Sequence, residues 1–109
     1  MVDKRRQKRI ENYLIELASE FVKLKSTRRS LITITKATVL PNLTKATFYV
    51  SVLPEEFEKE ALNFLRRKRP ELREFIKKNS KLRKIPFVEI EIDKGEKNRQ
   101  ALEKISSQQ

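Results

Sequence analysis

Residues 31–53 read LITITKATVLPNLTKATFYVSVL, and the fold follows from how this stretch alternates. Leu31-Ile32-Thr33-Ile34-Thr35 is dense in β-branched residues and alternates Ile with Thr, which predicts a strand. Pro41-Asn42-Leu43 supplies turn chemistry. Beyond it, Ala46, Phe48, Val50 and Val52 alternate with Thr47, Tyr49 and Ser51, the period-two pattern of a half-buried strand. The simplest arrangement is a long antiparallel ribbon with one face turned to a core.

The core must come from the flanks. Upstream, Ile10, Tyr13, Leu14, Leu17, Phe21 and Leu24 fall on one face at period 3.6, so Asp3 to Lys25 reads as a helix with Asp3 as its N-cap. Ser26 to Ser30 is a polar connection. Downstream, Pro54 is placed to open a second helix at its first position. Glu55, Glu56 and Glu58 favour that helix's N-terminal dipole, and Phe57, Ala61, Leu62 and Leu65 are apolar. Pro70 should break this helix and begin a third, with Leu72, Phe75 and Ile76 inward and Asn79-Ser80 at its end. A third strand spans Ile85 to Asp93, with Val88, Ile90 and Ile92 on one face and Phe87, Glu89 and Glu91 on the other. The expected fold class is α+β, in the order α-β-β-α-kink-α-β, with a three-stranded sheet covered on one face by helices. Residues 1–93 form a single domain in this reading. Residues 94–109 are a tail, weakly helical through Ala101, Leu102 and Ile105 or disordered, and frayed over Ser106 to Gln109.

Charge dominates the 109-residue composition. There are 26 Lys and Arg against 15 Asp and Glu, a net charge of +11, and the cations are segregated. Arg66, Arg67, Lys68, Arg69, Arg73, Lys77, Lys78, Lys81, Arg83 and Lys84 face only Glu71 and Glu74 between positions 66 and 84, a net of +8. Lys4, Arg5, Arg6, Lys8 and Arg9 form a second cluster, and Lys25, Arg28 and Arg29 a third. The acidic residues gather elsewhere, at Glu55 to Glu60 and Glu89 to Asp93. Charge runs on helices are commonly just solvated surface. Three same-sign clusters flanking breaks in secondary structure point instead to a polyanion site, with nucleic acid first among candidates.

Composition removes many other functions. There is no Cys and no His, so thiol chemistry, imidazole ligands and the usual triads are absent. With Gly95 the only glycine, neither a P-loop nor a GXXG clamp can be written. The Glu55-Glu56-Glu58-Glu60 group could be a Mg²⁺ or acid–base set, but helix N-terminal stabilisation accounts for it more simply. Phe48, Phe57, Phe75 and Phe87 sit at core periodicity and are read as core rather than as base-stacking platforms. Tyr49, opposite Phe48, is expected nearer the surface. No apolar region follows the N-terminal basic stretch, and no run approaches the roughly 18 apolar residues of a membrane span. The chain reads as a cytoplasmic, monomeric, non-enzymatic domain with no cofactor, no metal, no membrane and no small-molecule substrate.

The stretch from Leu31 to Leu53 resembles the central segment of the ribosome-binding factor A family. That family writes a Val/Ile-Thr alternation, then Val-x-x-Ser-Pro-Asp-Leu, then Ala-x-Val-Tyr-Val-Ser-Val. Leu82-Arg83-Lys84-Ile85-Pro86 resembles its Leu-Arg-x-x-Pro-x-Leu element, and the basic first helix resembles its start. The resemblance covers about residues 4 to 93. It implies a type II KH-like, RNA-binding domain and a non-catalytic assembly factor. Such a factor binds the immature small ribosomal subunit and its ribosomal RNA and assists late maturation and 5′-end processing of that RNA. The family's Ala-x-Gly kink falls on Lys68-Arg69-Pro70, where proline replaces glycine permissiveness with a stiffer break. On this reading Pro70 presets the kink and holds Lys68 and Arg69 outward as phosphate contacts. The alternative is a general basic DNA-binding or nucleoid-type protein using the N-terminal helix. A nucleic-acid enzyme lacks the residues it would need.

Overall fold

A computed structural model describes residues 4–26 and 29–95. The Asp3 cap, Arg28 and the tail turns through Ala101, Leu102 and Ile105 lie outside the described residues, as do Ser106 to Gln109.

The order is α1 (Lys4–Lys25), β1 (Leu31–Val39), β2 (Lys45–Leu53), α2 (Glu58–Arg67), α3 (Arg69–Asn79) and β3 (Phe87–Ile92). The sheet order is β1-β2-β3. β1 and β2 pair antiparallel from Leu31↔Leu53 to Val39↔Ala46, and β3 runs parallel to β2 from Lys45↔Phe87 to Val50↔Ile92. Helices fill one face of the sheet. Leu14, Leu17, Ala18, Phe21 and Val22 of α1, Ala61 and Leu65 of α2, and Leu72 and Ile76 of α3 meet the inward rows of the strands. Phe48, Leu14, Ile76, Ile90 and Val50 are the largest fully buried side chains, each stabilising the fold by about 1.5–3 kcal/mol. Phe21 and Phe75 add a tilted ring contact with centroids 5.6 Å apart.

A bulge explains how β1 reaches nine residues. Ile34 pairs with Val50 and Lys36 with Tyr49, so Thr35 is an extra residue. Without it, period-two geometry would drive Lys36 into the core. With it, Lys36 turns outward and Ala37 and Val39 turn in. The hairpin loop closes through Leu40 N–H to the Lys45 carbonyl. Asn42 Oδ1 accepts from both Thr44 N–H and the Thr44 hydroxyl.

Five expectations need correction. Pro54 does not begin the second helix: it is extended (φ −68°, ψ 157°), follows a cis bond from Leu53, and precedes a 3₁₀ turn over Glu55–Phe57. The Phe57 N–H to Pro54 carbonyl bond closes that turn, so α2 starts only at Glu58. Pro70 is the second residue of α3 rather than its first, and the break itself is at Lys68 (φ −90°, ψ 4°). β3 starts at Phe87 because Pro86 has no N–H to offer a ladder. Leu24 is 66% exposed, lying beside the buried α1 stripe rather than on it. Phe87 is not core: it is 69% exposed, because strand parity places it opposite the buried Val88.

Candidate nucleic-acid interface

The α2–α3 break organises the largest basic cluster. Proline has no N–H, so the carbonyl of Arg66, which a continuous helix would satisfy from position 70, needs another donor. Arg69 Nε supplies it at 3.0 Å. Arg66, Arg69 and Arg73 then fall at i, i+3 and i+7 and project to one side, along the outer edge of β3.

There they hold the strand. Arg66 donates through Nε and Nη2 to the Ile90 carbonyl (3.3 and 3.0 Å), and its Nη2 lies 3.5 Å from Glu91. Arg69 Nη1 pairs with Glu89 at 3.0 Å. Arg73 donates to the Pro86 and Ile85 carbonyls at 3.1 and 3.0 Å. Edge carbonyls left open invite pairing with other chains, and this row of guanidinium groups covers them. The reading of Lys68 and Arg69 as outward-facing is therefore corrected, and Arg66 shares their partial burial. All three are half-buried, and Lys68 pairs with Glu71 at 3.3 Å with its ammonium 5.8 Å from the Phe64 ring.

The remaining cations of the cluster differ. Arg67, Lys77, Lys78, Lys81, Arg83 and Lys84 are exposed and form no ion pair among the described residues. They do not stand alone. Tyr13 of α1 donates its hydroxyl to the Asn79 carbonyl at 2.9 Å, and a groove lined by Tyr13, Lys78, Asn79, Ser80, Lys81 and Leu82 lies at that junction. Arg9 sits one helical turn before Tyr13 and so shares the α1 face that meets the end of α3, while Lys4, Arg5, Arg6 and Lys8 are exposed around the first turns of the same helix. At the other end of the helical layer, Arg29 and Arg67 line one cleft with Ser26, Ser30 and Glu60. Arg29 pairs with Glu60 at 2.9 Å and its guanidinium lies 5.3 Å from the Phe57 ring. Cations of three clusters distant in sequence thus border the helical layer, at two separate ends.

Two lysines outside those clusters belong in the description. Lys36 and Lys45 are exposed on the sheet face turned away from the helices. Lys36 Nζ lies 5.6 Å from the Tyr49 ring, and Lys45 is the ladder partner of Phe87. Period-two parity would have found Lys45, which precedes the buried Ala46, whereas Lys36 faces outward only because of the Thr35 bulge. Of the glutamates weighed as a metal set, Glu55 and Glu56 lie in the 3₁₀ turn and Glu58 and Glu60 in the first turn of α2. No group of acidic side chains placed to hold a metal ion occurs among the described residues. No helix among them is long and apolar enough to cross a membrane.

An α-β-β-α-α-β chain with helices on one face of a mixed three-stranded sheet, and a basic break between the last two helices, is a type II KH-like domain. The sequence model described as "Ribosome-binding factor A" matches residues 4–106, and the chain belongs to that family. Solved structures agree in fold. The crystal structure of ribosome-binding factor A from Thermus thermophilus superposes with a TM-score of 0.70 at 21% identity, covering 77% of this chain and 92% of that one. The solution NMR structure of a candidate ribosome binding factor A from Thermotoga maritima gives 0.69 at 26% identity, covering 83% and 89%. A homology model of the Thermus thermophilus factor, fitted into the cryo-EM map of its 30S complex, gives 0.64 at 22% identity, covering 74% and 88%. No curated protein sequence matches the chain.

Proposed function

We propose that this protein is a non-catalytic assembly factor. It binds the immature small ribosomal subunit through its ribosomal RNA and assists late maturation and 5′-end processing of that RNA. The observation that carries the reading is the junction of the basic α1 with the basic end of α3 through Tyr13 and Asn79. Family membership and a relative fitted into a 30S complex support the choice of polyanion. In this proposal residues 1–93 are the RNA-binding unit and residues 94–109 are a tail. Phosphates are met by Lys4, Arg5, Lys8 and Arg9 of α1 and by Lys77, Lys78, Lys81, Arg83 and Lys84 at the far end of α3. Arg67 and Arg29 extend the track at the other end. Arg66, Arg69 and Arg73 hold the scaffold that presents it.

Co-sedimentation with precursor and mature small subunits tests this. Retention on precursor subunits is expected, competed by ribosomal RNA more strongly than by duplex DNA of equal length. Equal competition by the duplex would support a general basic DNA-binding protein instead. Purified protein is expected to leave the RNA uncut.

A further inference from the structure

The most exposed large hydrophobic side chain among the described residues is an aromatic ring set among cations. Phe87 is 69% exposed. The Arg73 guanidinium lies over its ring, 5.1 Å from the centroid, and is itself fixed by the Ile85 and Pro86 carbonyls. The ring therefore has a rigid backing. It borders a groove that Arg67 and Pro70 also line, and across the ladder its partner is the exposed Lys45. Adjacent strands lie about 4.8 Å apart, so the Lys45 ammonium is within reach of whatever covers Phe87.

A single exposed apolar residue needs no explanation by itself. A flat ring backed by a fixed guanidinium and flanked by free cations has the chemistry of single-strand recognition, where bases stack on aromatics and Arg or Lys take the phosphates. In the Leu-Arg-x-x-Pro-x-Leu element Phe87 occupies the unspecified position after proline, so the resemblance assigns it no role.

We propose that Phe87 is a stacking platform for an unpaired base of single-stranded RNA, with Lys45 and Arg67 contacting the adjoining phosphates. The proposal rests on the RNA-binding reading above and adds a base-dependent contact to it. A duplex cannot use the platform, because its bases are already stacked on one another. The ring also makes no demand on base identity, since every base has a flat face.

The chain has no Trp, so Phe87→Trp places a sole indole at the platform. A short oligouridylate should quench its fluorescence saturably, while heparin, a polyanion without bases, should bind and leave it unquenched. Phe87→Ala should weaken oligouridylate binding about tenfold, with heparin affinity and the salt slope unchanged. Phe87 is exposed, so this variant should unfold at the wild-type midpoint. Unchanged oligouridylate affinity in Phe87→Ala would overturn the platform, as would absent quenching or equal quenching by heparin. Small-subunit binding that persists through such a result leaves the assembly-factor reading standing. Failure of the wild-type protein to bind either subunits or oligouridylate would remove both.

Discussion

The hydroxyl of Tyr13 donates to the backbone carbonyl of Asn79, 66 residues further along the chain. That carbonyl is the last of α3, one of the groups a helix end leaves without an internal partner. The bond thus satisfies a helix terminus and fastens the basic α1 against the basic end of α3. It brings the helix that carries the N-terminal cations against the end of the helix that carries Lys77 and Lys78.

Tyr13→Phe keeps the ring and every charge and removes only the hydroxyl. Tyr13 is 37% exposed, so the stability loss is expected to be small, about 0.5–1 kcal/mol by urea denaturation. RNA affinity should fall by a few-fold, because the two clusters are no longer held in register. Unchanged affinity alongside lowered stability would mean the junction matters to folding only.

The arginines of the α2–α3 region should divide into two kinds. Arg66→Gln and Arg73→Gln remove guanidinium groups that hold carbonyls of β3 and of the segment leading into it, so each should cost about 1 kcal/mol of stability, the low end reflecting their solvent exposure. Arg67→Gln should leave the unfolding midpoint in place and weaken RNA binding. Charge reversal of all four residues from Arg66 to Arg69 would mix the effects and read as misfolding. Equal stability losses at Arg66 and Arg67 would contradict the division.

Binding to small subunits or their RNA should weaken steeply with salt. If about six phosphates are neutralised, log K against log[salt] should slope at roughly −4 to −5. Replacing Lys78 and Lys81 together by Gln should reduce that slope by about 1.4, at the single-strand value per contact. An affinity flat across this salt range would end the electrostatic account.

The layer order and the core were legible because burial imposes period: Ala46, Phe48, Val50 and Val52 alternate whatever the partner, and Leu14, Leu17 and Phe21 must share a helix face. The Thr35 bulge was not read, although its trace is there in the apolar parity moving from Ile32 and Ile34 to Ala37 and Val39. Charge was legible as a quantity but not as an allocation. Nothing local separates Arg66 from Arg67. The partners of Arg66, Ile90 and Glu91, lie more than twenty positions away and come alongside only when β3 runs parallel to β2. Phe87 was counted as core on its hydrophobicity although strand parity already grouped it with Glu89 and Glu91, opposite Val88.

Pro70 offers the sharpest contest between local and tertiary causes. Local chemistry favours a proline-made bend: replacing Pro by Ala in a helix interior is worth about 3 kcal/mol toward continuation. Were that decisive, Pro70→Ala would let Leu62 to Ile76 drift into one helix and lower RNA affinity. Tertiary packing opposes it. Leu72 and Ile76 on one side of the break and Ala61 and Leu65 on the other are all buried in the same core. Straightening would withdraw one side. Exposing Leu72 and Ile76 alone would cost about 3–6 kcal/mol, before the contacts of Arg69 with β3 and of Arg73 with the Pro86 carbonyl are lost. The break at Lys68 is also already hydrogen-bonded, its N–H shared between the Phe64 and Leu65 carbonyls. Burial outweighs propensity, so Pro70→Ala should keep the bend and hold RNA affinity within twofold. Stability should fall by about 0.4–1 kcal/mol as the unfolded chain gains freedom, lowering the melting temperature by roughly 2–8 °C. NMR of the variant decides the matter: continuous helical contacts through Lys68 and Arg69, together with weakened subunit binding, would show that proline and not the core sets the angle at which the basic surface is presented.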